Sequence, residues 1–269
     1  MKSLLRNKLA LAGGIVLLAL TIVAVAAPWL APYDPLQVNL PEALVGPSVA
    51  HPLGTDPLGR DVFSRLIYGT RISLFIGLLA VGISVCVGTA VGAVAGFYGG
   101  WVDAILMRLV DTMLSVPTVF LLLAVIAVVG PSIHVVMVVI GLTSWMGVAR
   151  LVRAELLSLK EREFVLAARV LGASPWRLIT KHLLPNAMAP VLVSATLGVG
   201  GAILTESVLS YLGLGVQPPT PSWGNILNEG RIALGVAWWL TLSPGVCILV
   251  TVLAFNLLGE GIRERVSRE

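Results

Sequence analysis

Charge is scarce in this 269-residue chain. Asp, Glu, Lys and Arg make up 12% of it, hydrophobic residues make up 57%, and the mean hydropathy is +0.94. A soluble globular domain carries about 25% charged residues, so a water-bathed surface along the whole chain is excluded. Cysteine is nearly absent: Cys86 and Cys247 both sit within apolar runs with no Cys/His ligand spacing around them, and they read as small packing residues. The motifs of catalysis are missing too. There is no G-x-x-x-x-G-K-[ST] phosphate loop, no HExxH pair and no GxSxG elbow. The chain is therefore not expected to be an enzyme, to hold a metal or to bind a cofactor of its own. The net charge of +4 comes without a basic stripe outside the segments assigned below to the cytoplasm, so nucleic acid is not an expected partner and membrane lipid is.

What remains is long apolar runs. At ~20 residues per span, the chain has room for roughly five to seven membrane helices. The reading is an all-α membrane protein with six transmembrane helices in a single domain, 1–269. The spans fall at about 9–30, 72–98, 113–129, 133–148, 187–209 and 233–258. The first run also resembles a secretory signal, with Ala24-Val25-Ala26 as a cleavage site, but it exceeds the ~7–15-residue apolar stretch of such signals. Residues 31–71 form an external, Pro- and Gly-rich connection with no continuous helix before about Asp61. His51, Asp56 and Asp61 suggest a metal site there, yet the two aspartates read better as turn and helix-capping residues.

The scarce charge gathers at 150–186, where Arg150, Arg153, Lys160, Arg162, Arg169, Arg177 and Lys181 occur. Lys and Arg favour the cytoplasmic side. With Lys2, Arg6 and Lys8 at one end and Arg263, Arg265 and Arg268 at the other, both termini are placed in the cytoplasm. Within that loop, helix formers run from Glu163 to Leu171 with an apolar stripe at Phe164, Ala167, Ala168 and Leu171. Gly172 suits a left-handed helix end, and Ser174-Pro175 suits the start of a second short helix. Such a helix–turn–helix either docks on a partner protein or lies on lipid.

In the second span, Ser84, Gly88, Gly92, Gly96 and Gly100 repeat every four residues. Small residues at that spacing allow close helix packing, with a second subunit as a candidate partner; lining a pore is the other reading. Asp103, Arg108 and Asp111 are placed near the cytoplasmic interface, Arg108 and Asp111 paired, and Pro117 kinks the third span. Glu206, near the outer end of the fifth span, is a candidate gate or a carboxylate at the water interface or a subunit contact, and the second pair of readings is preferred. Gly213 and Gly215 lie in the irregular turn 209–224, at the start of the external loop 210–232, and share that candidate role. Trp238 and Trp239 are expected as interfacial anchors.

Four stretches carry a family resemblance. LAARVLG (166–172) followed by HLLPN (182–186) resembles the EAA loop of ABC-importer permeases, with Ala167, Ala168, Gly172, Leu184 and Pro185 on the pattern. Leu166 stands where that pattern has Glu, and His182 where it has Ile. The stretches 51–74, 209–224 (LSYLGLGVQPPTPSWG) and 254–266 resemble signatures of the dipeptide, oligopeptide and nickel permeases. The resemblance implies a type I importer-like permease in a bacterial or archaeal inner membrane. Its implied partners are a homologous second permease, two cytoplasmic ATPases that bind ATP and Mg, and an extracytoplasmic binding protein. The ATPase-coupling residues it implies are Ala167, Ala168, Gly172, Ala173, Leu184 and Pro185, with Glu163 and Arg169 as polar contacts in place of the missing Glu. Short peptides are the first-choice substrate and chelated nickel the alternative. A secondary transporter is a further alternative, disfavoured by the lack of an internal repeat and the few mid-span charges.

Overall fold

The computed structural model describes residues 7–266 of the chain. Lys2, Arg6 and Arg268, used above to orient the termini, lie outside the described residues. Among the described residues the regular structure is helical, with one isolated bridge between Thr55 and Asp61. Helix α1 (Lys8–Val25) starts at Asn7, whose side-chain oxygen accepts the Leu9 and Ala10 N–H groups at 3.0 and 3.1 Å. A single turn, α2 (Ala27–Leu30), follows. Helix α3 (Val62–Tyr98) has 37 residues, or ~55 Å at 1.5 Å per residue, and so overruns a ~30 Å hydrocarbon core. It starts at Asp61, as expected, and extends well before the span placed at 72–98.

The next expected span is bent. Helices α4 (Gly100–Ser115) and α5 (Thr118–Val129) meet at 87° around Pro117, which has no N–H to continue the ladder. The following span is also two pieces, α6 (Ile133–Leu142) and α7 (Trp145–Leu159). At the break, the Thr143 and Ser144 hydroxyls donate back to the Val139 and Ile140 carbonyls at 2.8 and 2.7 Å. Beyond α7 come the short helices α8 (Glu163–Val170) and α9 (Pro175–Arg177). The expected second short helix is not separate: α9 runs through a π-helical stretch, Leu178–Leu183, directly into α10 (Leu184–Tyr211). Pro185 sits at the start of α10 and Pro190 inside it, so the irregular hydrogen bonding precedes a stretch already short of donors. Helices α11 (Trp223–Ile232) and α12 (Trp239–Val266) close the chain, α12 beginning six residues later than the span placed at 233. Among the described residues, five helical segments are long and apolar enough to cross a membrane, and the bent α4–α5 pair makes up to six.

The central contact is between α3 and α7. A Cβ added at Gly88 would come within 2.6 Å of the Val148 Cβ and 2.7 Å of the Trp145 carbonyl oxygen. One at Gly96 would meet Arg153 and Leu156 at 2.9 Å, and Gly92 lies as tightly against Ala149 and Val152. The glycine face is thus a packing surface, but its partner is α7 of the same chain rather than a second subunit. Gly100 is not on that face; it begins α4 with φ +52°.

At the α3 N-terminal end, residues 31–61 fold over the bundle as an irregular cap. Asp61 caps α3 by accepting the Ser64 N–H at 2.7 Å. Asp56 makes a local turn, accepting the Leu58 and Arg60 N–H groups at 2.8 and 3.0 Å. It also pairs with Arg60 at 2.6 Å and with Arg65, and both arginines reach Glu229 on α11. Trp239 was expected at an interface, but only 5% of it is exposed. Its indole N–H donates to the Thr55 carbonyl at 3.0 Å, tying α12 to the cap. Trp238 is exposed. Cys86 is exposed as well, so it is not the packing residue expected.

Substituting Gly88→Leu should lower the stability of the purified protein by about 1–3 kcal/mol, because the added atoms meet α7 backbone. Gly82→Ala, where an added Cβ meets nothing within 4 Å, should leave it unchanged or slightly higher. Thermal unfolding midpoints in detergent check both.

Candidate functional site: the α8 turn and a cavity at the helix breaks

Helix α8 ends as its sequence suggests. Gly172 has φ +82°, its N–H donates to Arg169 at 3.0 Å, and the Ala173 N–H reaches back to Ala168 at 3.1 Å. This pair of bonds is the Schellman arrangement. Ser174 then caps α9 at 3.4 Å from the Arg177 N–H. The residue that anchors α8 is Val165, which is fully buried and was not part of the expected stripe. It packs with Leu156 of α7 and with Leu178, Ile179 and Leu183, while Ala168, Ala173 and Leu184 lean on the same cluster. Its spacing to Ala168 on the helix was the available signal.

The other side of α8 is open. Phe164, Ala167, Val170 and Leu171 are exposed, the last two by 88% and 86%, and Trp176 adds another exposed ring. Phe164 and Leu171 therefore belong to the outer face, not the buried one. Glu163, Arg169, Gly172 and Pro185 are also exposed. The expected coupling residues thus divide into an outward set and a set that fixes the turn to the bundle.

Polar side chains near this end of the bundle tie α4 to α7. Arg153 pairs with Asp103 at 2.5 and 2.6 Å, and Arg150 pairs with Asp111 at 2.5 Å. The pairing of Asp111 with Arg108 expected from helical spacing is replaced by this one, since α7 brings Arg150 to the carboxylate.

Further along the bundle, a cavity of about 440 Å³ lies between α3, α6, α7 and α10, beside the bend at Pro117. It is lined by six hydroxyl side chains, Ser84, Thr118, Thr143, Ser144, Ser194 and Thr205, and by no charged one. Both helix breaks open onto it. The remaining wall is largely glycine, alanine and aliphatic side chains, including Gly147, Gly198 and Gly201.

Glu206 is elsewhere than the preferred reading put it. It is fully buried within this chain, neither at the water interface nor on a free surface for another subunit. The Ser210 and Ser222 hydroxyls donate to its Oε1 at 2.7 and 3.0 Å. Ser222 is the N-cap of α11, with a capping box to Asn225, so the carboxylate joins α10 to α11. Gly213, at φ +81°, ends α10 in a second Schellman turn, with bonds Gly213 to Ser210 at 2.9 Å and Leu214 to Leu209 at 2.8 Å. The chain then folds so closely over Ser210 that a side chain at Gly215 would overlap it. These three residues therefore form one rigid corner.

The model of the family described as "binding-protein-dependent transport system inner membrane component" matches residues 88–268. The chain belongs to that family. A second family model, the N-terminal TM domain of oligopeptide transport permease C, matches residues 1–47. The family match thus takes in the α3–α7 seam from Gly88 onward and the α8 turn. Among curated relatives, the dipeptide transport system permease protein DppC of Alkalihalophilus pseudofirmus is 41% identical over 99% of this chain and 88% of its own length. The di/tripeptide transport system permease protein DppC of Pseudomonas aeruginosa is 43% identical over 99% and 90%. The glutathione transport system permease protein GsiD of Pectobacterium atrosepticum is 41% identical over 98% and 88%. Among solved structures, an inward-facing MetNI methionine ABC transporter chain superposes with a TM-score of 0.63 at 19% identity, covering 76% of this chain and 97% of that one. That likeness establishes the permease fold.

In this permease the Glu206→Leu substitution should cost about 1–3 kcal/mol, since it strands the Ser210 and Ser222 donors in a dry corner. Glu206→Gln, which keeps an acceptor oxygen, should cost much less. Thermal unfolding of the two variants side by side separates the hydrogen-bonding role from simple space filling.

Proposed function

We propose that the chain is one permease half of an ATP-driven importer of short peptides, in a bacterial or archaeal inner membrane. The observation that carries this reading is identity of 41–43% over nearly the whole chain to permeases named for dipeptide, di/tripeptide and glutathione transport. Those names favour peptides over chelated nickel. The chain works with a homologous second permease, two ATPases that bind ATP and Mg, and an extracytoplasmic binding protein. Both termini and the α8 turn face the cytoplasm, in keeping with the Lys and Arg of 150–186.

In this mechanism the exposed face of α8 is where the ATPase docks. Phe164, Ala167, Val170 and Leu171 supply apolar area, and Glu163 and Arg169 supply polar contacts where the EAA pattern would have the residue occupied by Leu166. Val165 transmits the movement. It is wedged against Leu156 on α7 and Leu183 below α10, so a displaced α8 pushes on both helices. These same helices line the hydroxyl cavity through Met146 and Gly147 on one side and Ser194 and Gly201 on the other. The breaks at 143–144 and at Pro117 let the upper and lower segments move separately. An uncharged hydroxyl lining suits a peptide backbone, which needs hydrogen-bond partners but must not be held tightly.

The reading is tested by uptake into proteoliposomes that hold the complete complex and its binding protein, with radiolabelled di- and tripeptides compared with chelated nickel. ATP-dependent uptake of peptides alone is expected. Uptake of nickel alone, or uptake driven by an ion gradient without ATP, overturns it. Two variants test the mechanism. Gly172→Pro cannot adopt φ +82° and removes the N–H that closes the turn, so ATP hydrolysis should persist without uptake. Gly201→Leu fills the cavity from a position where an added Cβ meets nothing within 4 Å, and uptake should fall by about tenfold in an assembled complex because the passage narrows.

A further inference from the structure

At the end of the bundle opposite α8 lies a second, larger recess, of about 690 Å³, that the coupling mechanism leaves unused. It is bounded by the start of the cap at residues 28–36, the outer part of α3, and the turn 219–221. Arg71 sits about 38 Å along α3 from Gly96, at 1.5 Å per residue, so the recess and the α8 turn are on opposite sides of a bilayer-thick span. The volume falls in the range of small-molecule sites, about 300–1,000 Å³.

The charged groups on its wall are one of each sign, Arg71 and Asp34. Arg71 is exposed and makes no hydrogen bond or ion pair among the described residues, whereas Arg60 and Arg65 at the same end are committed to carboxylates and Arg231 lies over the Tyr211 ring. Asp34 uses Oδ1 to accept the Leu36 N–H at 2.9 Å and leaves Oδ2 without a partner. Tyr33 and Tyr68 also line the recess, with hydroxyls that bond nothing else among the described residues, and the Tyr33 ring is backed by His51 at 4.9 Å between centroids. Pro219 and Pro221 add stiff apolar wall.

The walls are held in place from behind. The Tyr33 N–H donates to the Ser64 hydroxyl at 3.1 Å, which in turn donates to the α3 cap Asp61 at 2.7 Å. The Asn225 amide donates to the Thr220 carbonyl at 2.5 Å, fixing the turn 219–221 to α11. A pre-formed recess with uncommitted polar groups loses little freedom when a ligand enters.

We infer that this recess is a receiving site for the solute, a ligand that carries one carboxylate and one ammonium. Arg71 takes the carboxylate through its planar fork, Asp34 takes the ammonium, and the tyrosine and proline surfaces cover the apolar part between them. A short peptide with free termini has this charge pattern, so the inference rests on the peptide-import reading and deepens it. The site would accept peptide released by the binding protein before passage through the bundle. Phospholipids with an ethanolamine headgroup share the pattern of an anion and an ammonium, and the test separates the two sources.

The test uses the assembled complex without binding protein, in nanodiscs of phosphatidylcholine and phosphatidylglycerol. Saturation-transfer NMR compares alanyl-phenylalanine with its C-terminal amide and its N-acetyl form. Arg71→Gln should weaken the free dipeptide by about tenfold, the scale of one lost charge-assisted bond, and leave the already weaker amide unchanged. Asp34→Asn should do the same with the N-acetyl form as the insensitive partner, and Arg71→Lys should recover part of the loss. Both side chains are exposed, and co-purification of the ATPases verifies that each variant assembles. Equal weakening of free and blocked dipeptides, or no weakening, overturns the site. So does native mass spectrometry in which added ethanolamine phospholipid is retained by the unsubstituted complex and lost by Arg71→Gln while dipeptide binding is unchanged. Uptake of the same dipeptide with the binding protein present is measured in parallel. Uptake equal in the unsubstituted complex and both variants removes the receiving site and leaves the importer standing, whereas no dipeptide uptake by the unsubstituted complex removes both.

Discussion

The close approach of α3 to α7 is the contact on which the rest of the molecule depends. Lipid tails are as apolar as leucine, so helices in a bilayer gain nothing from hiding apolar area against each other. They associate through close van der Waals contact instead. Gly88, Gly92 and Gly96 allow that contact by bringing the α3 backbone against Trp145, Ala149 and Arg153 of α7. The same helix receives α10 at Gly77, against Val199 and Ile203, and α11 at Gly69, against Trp223. One continuous 37-residue helix therefore acts as the post to which the broken or bent elements are fastened.

Charge is arranged around that post by depth. A charged side chain costs about 2.5–3.5 kcal/mol at a helix centre on an insertion scale, and the ion pairs lie toward the two ends. Asp56, Arg60, Arg65 and Glu229 lock the cap to α3 and α11 at one end. Asp103 with Arg153, and Asp111 with Arg150, hold α4 to α7 toward the other. Between them the polar groups are mostly hydroxyls, many of which return their proton to a carbonyl one turn back. Glu206 is the exception, and it is surrounded by three serine hydroxyls. Removing one member of such a buried set strands the others, which makes the corner stiff.

Stiff ends and a divided middle suit a protein that must change shape. The bend at Pro117 and the break at Thr143 and Ser144 both face the hydroxyl cavity. Irregular backbone at membrane depth is tolerated where it lines a cavity or is buried in protein. The long helix α10 carries its irregularity at the base, in the π-helical stretch that joins it to the α8 turn. The turn thus joins α10 at its least regular point, while the Schellman corner at Gly213 holds the far end.

Much of this was legible in the sequence because the bilayer leaves few choices. A long apolar run must satisfy its own backbone, so composition alone announces helices. Local capping chemistry was equally readable: Asp61, Gly172 and Ser174 each act within three or four residues of their own position. The rotation of each helix was not readable, since it is set by residues far away along the chain. Arg153 meets Asp103 across 50 positions and Arg65 meets Glu229 across 164. That is why helical spacing pairs Asp111 with the wrong arginine, why Trp239 reads as an interfacial anchor, and why Glu206 reads as a carboxylate at the water interface or at a subunit contact. The glycine spacing declared a packing face, but only the assembled bundle decided that α7 fills it. Likewise the stripe on α8 was visible as amphipathic, yet which side turns inward depended on Val165 finding Leu156 and Leu183. Short-range sterics and the demand for backbone hydrogen bonds act on neighbours and can be read in order; burial and pairing are collective and are settled only when all the helices are in place.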